Sequence, residues 1–158
     1  MILSAGFVGG LVAGTFNSIP VLNFINCFCC LGIMLGGAAA LMYYDRSEPT
    51  RDYITPAVAV TLGISAGLFG AFIALAIDYI IYINFGHWQL EFMRDIFENM
   101  EDMPAEMDDI IYEVERELEM GFIWGIALLR NLLLMPVFCL IGSLITRALL
   151  NRNRMPTT

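Results

Sequence analysis

The chain has 158 residues, of which 58% are hydrophobic and 15% charged, and its formal net charge is −8. A soluble domain carries about a quarter charged residues. Here most of the charge lies in two blocks, and the apolar stretches between them exceed the roughly 20 residues that cross a bilayer. This excludes an ordinary soluble domain, and the acidic balance excludes a nucleic-acid binder, which needs basic surface to displace counterions.

The first apolar stretch, about 2–19, lacks the positively charged start of a secretory signal and leads into more membrane-length sequence. It therefore reads as a retained helix. Pro20 cannot continue the hydrogen-bond ladder, so Asn17-Ser18-Ile19-Pro20 becomes a tight turn into a second span, about 21–44. A polar loop from Asp45 to Tyr53 follows. Pro56 suits a helix start, because the missing N–H would have no partner there, and the third span runs over about 56–84. The fourth covers about 121–150. The expected fold is all-α: an integral membrane four-helix bundle, with an acidic extramembrane helical hairpin at about 88–119 between spans three and four. A three-span arrangement with the short, glycine-rich first stretch re-entrant is the alternative.

Orientation follows from arginine. Arg46 and Arg51 follow span two, and Arg147, Arg152 and Arg154 close span four. With an even number of spans all five lie on one side, which the positive-inside rule assigns to the cytoplasm. The expected location is the inner cell membrane, with both termini cytoplasmic and the acidic segment outside.

Small residues recur every four positions: Gly6, Gly10 and Gly14; then Gly32, Gly36 and Ala40; then Ala59, Gly63, Gly67 and Ala71. Span four opens with Gly121 and Gly125. Residues four apart share a helix face, and in lipid such faces let backbones approach closely. These stripes predict close packing, either within one subunit or at a dedicated interface between subunits.

From Gln89 to Glu119 the character changes, with twelve acidic side chains against Arg94 and Arg116. Met93, Phe97 and Met100, then Met107, Ile111, Val114 and Leu118, keep a helical period. Pro104 separates the two runs. Glu91, Asp95, Glu98 and Asp102 make an acidic row on the first helix, and Glu106, Asp109 and Glu113 continue acidic surface on the second. This hairpin is the expected surface for a basic partner or for cations. It contains no twelve-residue calcium loop with an internal glycine.

Asp78 in span three and Arg130 in span four fall within apolar sequence, where an unpaired charge is expensive. Both map to the outward half, so they are the expected intramembrane ion pair. Cys27, Cys29 and Cys30 are the candidate metal ligands, but on a helix the three do not share one face, and small apolar packing is the favoured role. No cofactor is implied. His87 stands alone beside Trp88, and no nucleophile motif or phosphate loop occurs, so an enzyme is not expected.

The run from Ser18-Ile19-Pro20-Val21-Leu22-Asn23 through Asn26-Cys27-Phe28-Cys29-Cys30 to Gly36-Gly37 resembles a group of uncharacterised small bacterial multi-span membrane proteins. They share a glycine-rich first helix, an Ile-Pro-x-x-Asn turn, clustered cysteines and a Gly-Gly exit. The resemblance covers about the first 45 residues and implies a bacterial multi-span protein without implying an activity. The leading expectation is a non-catalytic membrane accessory or assembly subunit, in contact with lipid and with copies of itself or partner subunits. The alternative is an oligomeric cation channel or transporter with an acidic vestibule and Asp78 near the pathway. A redox or pigment-associated subunit using the cysteines is a third.

Overall fold

Small residues on facing helices determine how this chain packs. The structure, a computed structural model, describes residues 1–19, 30–47, 53–85, 116 and 122–154. Four helices follow in order: α1 (Ile2–Ser18), α2 (Leu31–Ser47), α3 (Pro56–Phe85) and α4 (Phe122–Arg154). No strand occurs among the described residues. Two stretches, Pro56–Asn84 and Trp124–Arg152, are long and apolar enough to cross a membrane. The 17 residues of α1 amount to about 25 Å of rise, short of a typical hydrocarbon core.

One expected boundary changes. As described, α2 begins at Leu31 after a turn at Cys30, and 20–29, where the second span is expected to start, lie outside the described residues. The far end of α2 runs past Tyr44 to Ser47, so Asp45 and Arg46 are helical and not loop. Polar residues can extend a helix beyond apolar surroundings. Here the Ser47 hydroxyl bonds back to the Tyr43 carbonyl at 2.8 Å, and Arg46 sits in the last turn, where the macrodipole favours a cation. The turn residue Cys30 precedes α2, and its φ of 56° is left-handed, an unusual conformation for a residue with a Cβ. The Cys30 carbonyl accepts the N–H groups of Ile33 and Met34, each at 3.0 Å.

α1 lies between α2 and α3, and α4 packs on α3 and α2 from the opposite corner. The α1–α3 contact is parallel and regular: Gly6 faces Ser65, Gly10 faces Phe69, and Gly14 faces Ile73. At the flank of that seam, the Phe7 and Phe69 rings meet edge to face with centroids 5.9 Å apart. Gly36 fits against Gly9 and Ala13 of α1, running antiparallel. Gly63 fits against Leu140, and Gly67 sits on the backbone of Pro136. Pro136 lies within continuous helix and lacks an N–H to return to the preceding turn, and glycine opposite it admits the displaced backbone.

The closest approach is reciprocal. A Cβ at Gly37 would land on the carbonyl of Cys139, and one at Gly142 would land on the carbonyl of Met34. The Cys139 thiol donates to the Ile33 carbonyl at 3.2 Å, beside the same crossing. Gly32 is buried on α2. Gly125, expected in a packing stripe, has open space where its Cβ would be. Four-residue spacing defines a helix face, but α4 does not turn this one toward a neighbour.

The resulting core is unusual for water. α3 buries Ala59, Leu62, Ala66, Ala71 and Ala74 and exposes Ile64, Leu68, Phe72 and Ile80. α4 has an inner row of Asn131, Met135, Cys139, Ser143 and Asn151, all buried, and an outer row of Leu133, Val137, Ile141, Ile145 and Leu149, all exposed. In the most apolar window of α4 only 22% is buried. A soluble helix places its large apolar side chains inside, and this one does the reverse.

A methyl group added at a backbone crossing forces the helices apart, and overpacking of this kind costs about 1–3 kcal/mol. Gly37→Ala and Gly142→Ala are therefore expected to lower the thermal midpoint in mild detergent clearly, whereas Gly125→Ala leaves it unchanged or raises it slightly. Equal behaviour of the three variants would contradict the packing described.

Candidate functional site

Polar side chains gather at the two ends of the bundle. At the end where α1 stops, the Ser18 hydroxyl, 6% exposed, donates to the Ala74 carbonyl at 3.1 Å. Asp78, one turn further along α3, is partly buried within hydrogen-bonding reach of Ser18 and within the field of Arg130. Arg130 is exposed, and its Nη2 donates to Asn131 Oδ1 at 3.4 Å. The structure thus brings Asp78 and Arg130 toward the same end of the bundle without the expected direct ion pair between them, and the hydrogen bond of the guanidinium goes to its sequence neighbour. Asn131 is 2% exposed, and its Nδ2 has no hydrogen-bond partner. Beyond this cluster, Trp124 takes Tyr79 and Tyr82 edge-on, with centroids 5.8 and 5.3 Å away.

The opposite end carries the denser network. Asn151, buried on the last turns of α4, reads both backbone groups of Ile54: Oδ1 accepts the N–H at 3.1 Å, and Nδ2 donates to the carbonyl at 3.0 Å. Arg147, one turn earlier, donates Nε to the same carbonyl at 2.9 Å. A carbonyl oxygen has two lone pairs, and here both are used. Arg147 Nη2 donates to the Tyr53 hydroxyl, and the guanidinium lies 5.4 Å from the Tyr53 ring centroid. The short segment before α3 is thereby fastened to the end of α4. Between the ends, Ser143 donates to the Ala59 carbonyl at 2.9 Å.

Sequence reasoning located Asp78, Arg130 and most of the packing glycines. It missed Ser18 as a neighbour of Asp78, the pairing of Gly37 with Gly142, and the Asn151 clamp. A four-residue periodicity continued from Asn131 through Cys139, Ser143 and Arg147 to Asn151 could have revealed the polar inner row of α4. The acidic residues Glu91, Asp95, Glu98, Asp102, Glu106, Asp109 and Glu113, like Cys27 and Cys29, lie outside the described residues. Cys30 is the turn residue that opens α2, partly buried against the core. Among the described residues no three His, Cys, Asp or Glu side chains converge as metal ligands. No protein family, curated protein or solved structure matches the chain.

The two buried asparagines should respond oppositely to leucine. Asn151→Leu leaves the Ile54 N–H without an acceptor, and an unsatisfied buried group costs about 1–3 kcal/mol. Asn131→Leu removes a buried donor that has no partner and only the long 3.4 Å bond from the exposed Arg130, so it is expected to be neutral or stabilising. Thermal unfolding of both variants in one detergent checks this; a loss at Asn131 as large as that at Asn151 contradicts it.

Proposed function

We propose that this chain is a non-catalytic integral membrane subunit: a four-helix membrane bundle that presents an acidic helical hairpin to a partner or to copies of itself. One observation carries the reading. Most large apolar side chains of α3 and α4 face outward, while the groups turned inward are mainly small or polar, Leu62 and Met135 being the large apolar ones among them. Covering exposed leucine and isoleucine with lipid costs nothing, whereas burying polar groups in hydrocarbon requires internal partners. Ser143, Cys139 and Asn151 have such partners.

The filled interior supports an assembly role over conduction through one chain. Backbones meet at Gly37 with Cys139, at Gly142 with Met34 and at Gly67 with Pro136, which leaves no axial gap at those levels. In this reading Asp78 and Arg130 lock α3 to α4 electrostatically, and the membrane is the inner membrane of a bacterial cell. The arginines of α2 and α4 put their end in the cytoplasm and the acidic segment outside. The channel or transporter alternative rests on Asp78 together with the unpartnered amide of Asn131, two polar groups toward the same end of the bundle.

Three measurements decide between them. In a background without native cysteines, Glu101→Cys is expected to react with a membrane-impermeant maleimide in intact cells and Arg152→Cys only after lysis; the reverse pattern overturns the orientation. Either single alanine substitution at Asp78 or Arg130 is expected to weaken assembly, and exchanging the two residues to restore it. Cation flux in liposomes that disappears in Asp78→Ala would overturn the accessory reading in favour of the channel.

A further inference from the structure

We infer that the cytoplasmic end of the bundle holds an anionic phospholipid, whose headgroup phosphate docks on the guanidinium of Arg147. The inference rests on the membrane reading above. Arg147 is fixed by Nε on the Ile54 carbonyl and by Nη2 on the Tyr53 hydroxyl, with the Tyr53 ring alongside. Those contacts use the side edge of the guanidinium. The end edge, formed by Nη1 and the second N–H of Nη2, is left over, and among the described residues no acceptor meets it. Two parallel N–H groups on one edge match two oxygens of a phosphate.

The position suits a lipid. Arg147 is half-buried one turn before Asn151, and Leu144 and Leu150, three residues to either side on the same face of α4, are partly buried beside it. Tyr53 is 51% exposed, an amphipathic ring of the kind that settles at headgroup level. Among the described residues, the groups that hold Arg147 are two neutral oxygens and a π face, and none of these cancels its charge. Of the described charges at the same end, the exposed Arg46 and Arg152 outnumber the half-buried Asp45, and this disfavours the cationic moiety of a zwitterionic headgroup. An anionic diester headgroup fits the charge; a choline headgroup does not. A guanidinium already oriented by the protein also loses less freedom on binding than a mobile surface arginine.

The test uses the full chain in mild detergent, titrated with phosphatidylglycerol or phosphatidylcholine, reading lipid retention by native mass spectrometry and the thermal midpoint. Wild type is expected to retain phosphatidylglycerol preferentially and to be stabilised by it. Arg147→Lys keeps the charge but removes the fork, and retention is expected to fall about tenfold, given the strength of bidentate charged pairs. Arg152→Gln removes one surface charge and should cost no more than about fivefold. Tyr53→Leu alters an exposed group and leaves the charge, so it tests orientation even if Arg147→Lys unfolds; a drop of about threefold is expected from a loosened fork. Equal retention by wild type, Arg147→Lys and Tyr53→Leu overturns the site, as does stabilisation by free inorganic phosphate equal to that by the lipid. Failure of wild type to float with vesicles of either composition overturns the membrane reading; flotation with both and no preference overturns the lipid site alone.

Discussion

Two helices can bring their backbones into contact only where neither side interposes a Cβ, and the crossing of α2 and α4 depends on that. Gly37 receives the carbonyl of Cys139 while Gly142 receives the carbonyl of Met34. Each helix thus supplies both the gap and the group that fills the other's gap, so neither glycine works without its counterpart. The contact gains dispersion and weak Cα–H···O attraction, which are small singly and add up over a seam. It also fixes the rest of the bundle. Beside that crossing, α3 meets α4 at Gly63 and Gly67, while α1 meets α3 at Gly6, Gly10 and Gly14 and meets α2 at the Gly9–Gly36 contact.

In the proposed membrane setting, close backbone packing solves one problem of a lipid-facing protein and creates another. Hydrophobic burial gives no reason for helices to associate when the solvent is itself apolar, so fit and hydrogen bonding must hold them. Ser143, Cys139 and Ser18 each donate to a carbonyl of a neighbouring helix. At the end of the bundle, Asn151 and Arg147 fasten the start of α3. Hydrogen bonds of this kind make α4 a helix with polar groups inside and leucine, valine and isoleucine outside. The same end presents Arg147, held on one edge by Ile54 and Tyr53, where packing meets the proposed lipid site.

Much of this was legible in the chain and some was not. Pro56 and the apolar run behind it located α3 to within a residue at each end, because a proline start and continuous apolarity are local signals. The stripes of Gly6, Gly10 and Gly14 and of Gly63 and Gly67 were readable because four-residue spacing makes a face. Gly142 has no small partner four residues away, so periodicity could not single it out. Gly125 has a four-residue partner in Gly121 yet faces open space, since spacing defines a face without saying what lies opposite. The Asn151 clamp reaches backbone atoms 97 residues earlier in the chain, and backbone partners leave no mark in side-chain identity. Asp78 and Arg130 were visible as charges in apolar sequence, but the exposed placement of Arg130 depends on how α4 is rotated.

The parallel seam between α1 and α3 exists only if the glycines of α1 lie flat against α3, and its register can be read in a native membrane. In a chain stripped of its own cysteines, Phe7→Cys is combined with Phe69→Cys or with Phe72→Cys, and membranes are treated with a short bifunctional thiol reagent. Phe7 and Phe69 touch, whereas Phe72 points away from the bundle. The account predicts rapid intramolecular cross-linking of the first pair and little of the second. Equal cross-linking of both pairs, or none of the first, would contradict a bundle held by glycine-mediated backbone contact.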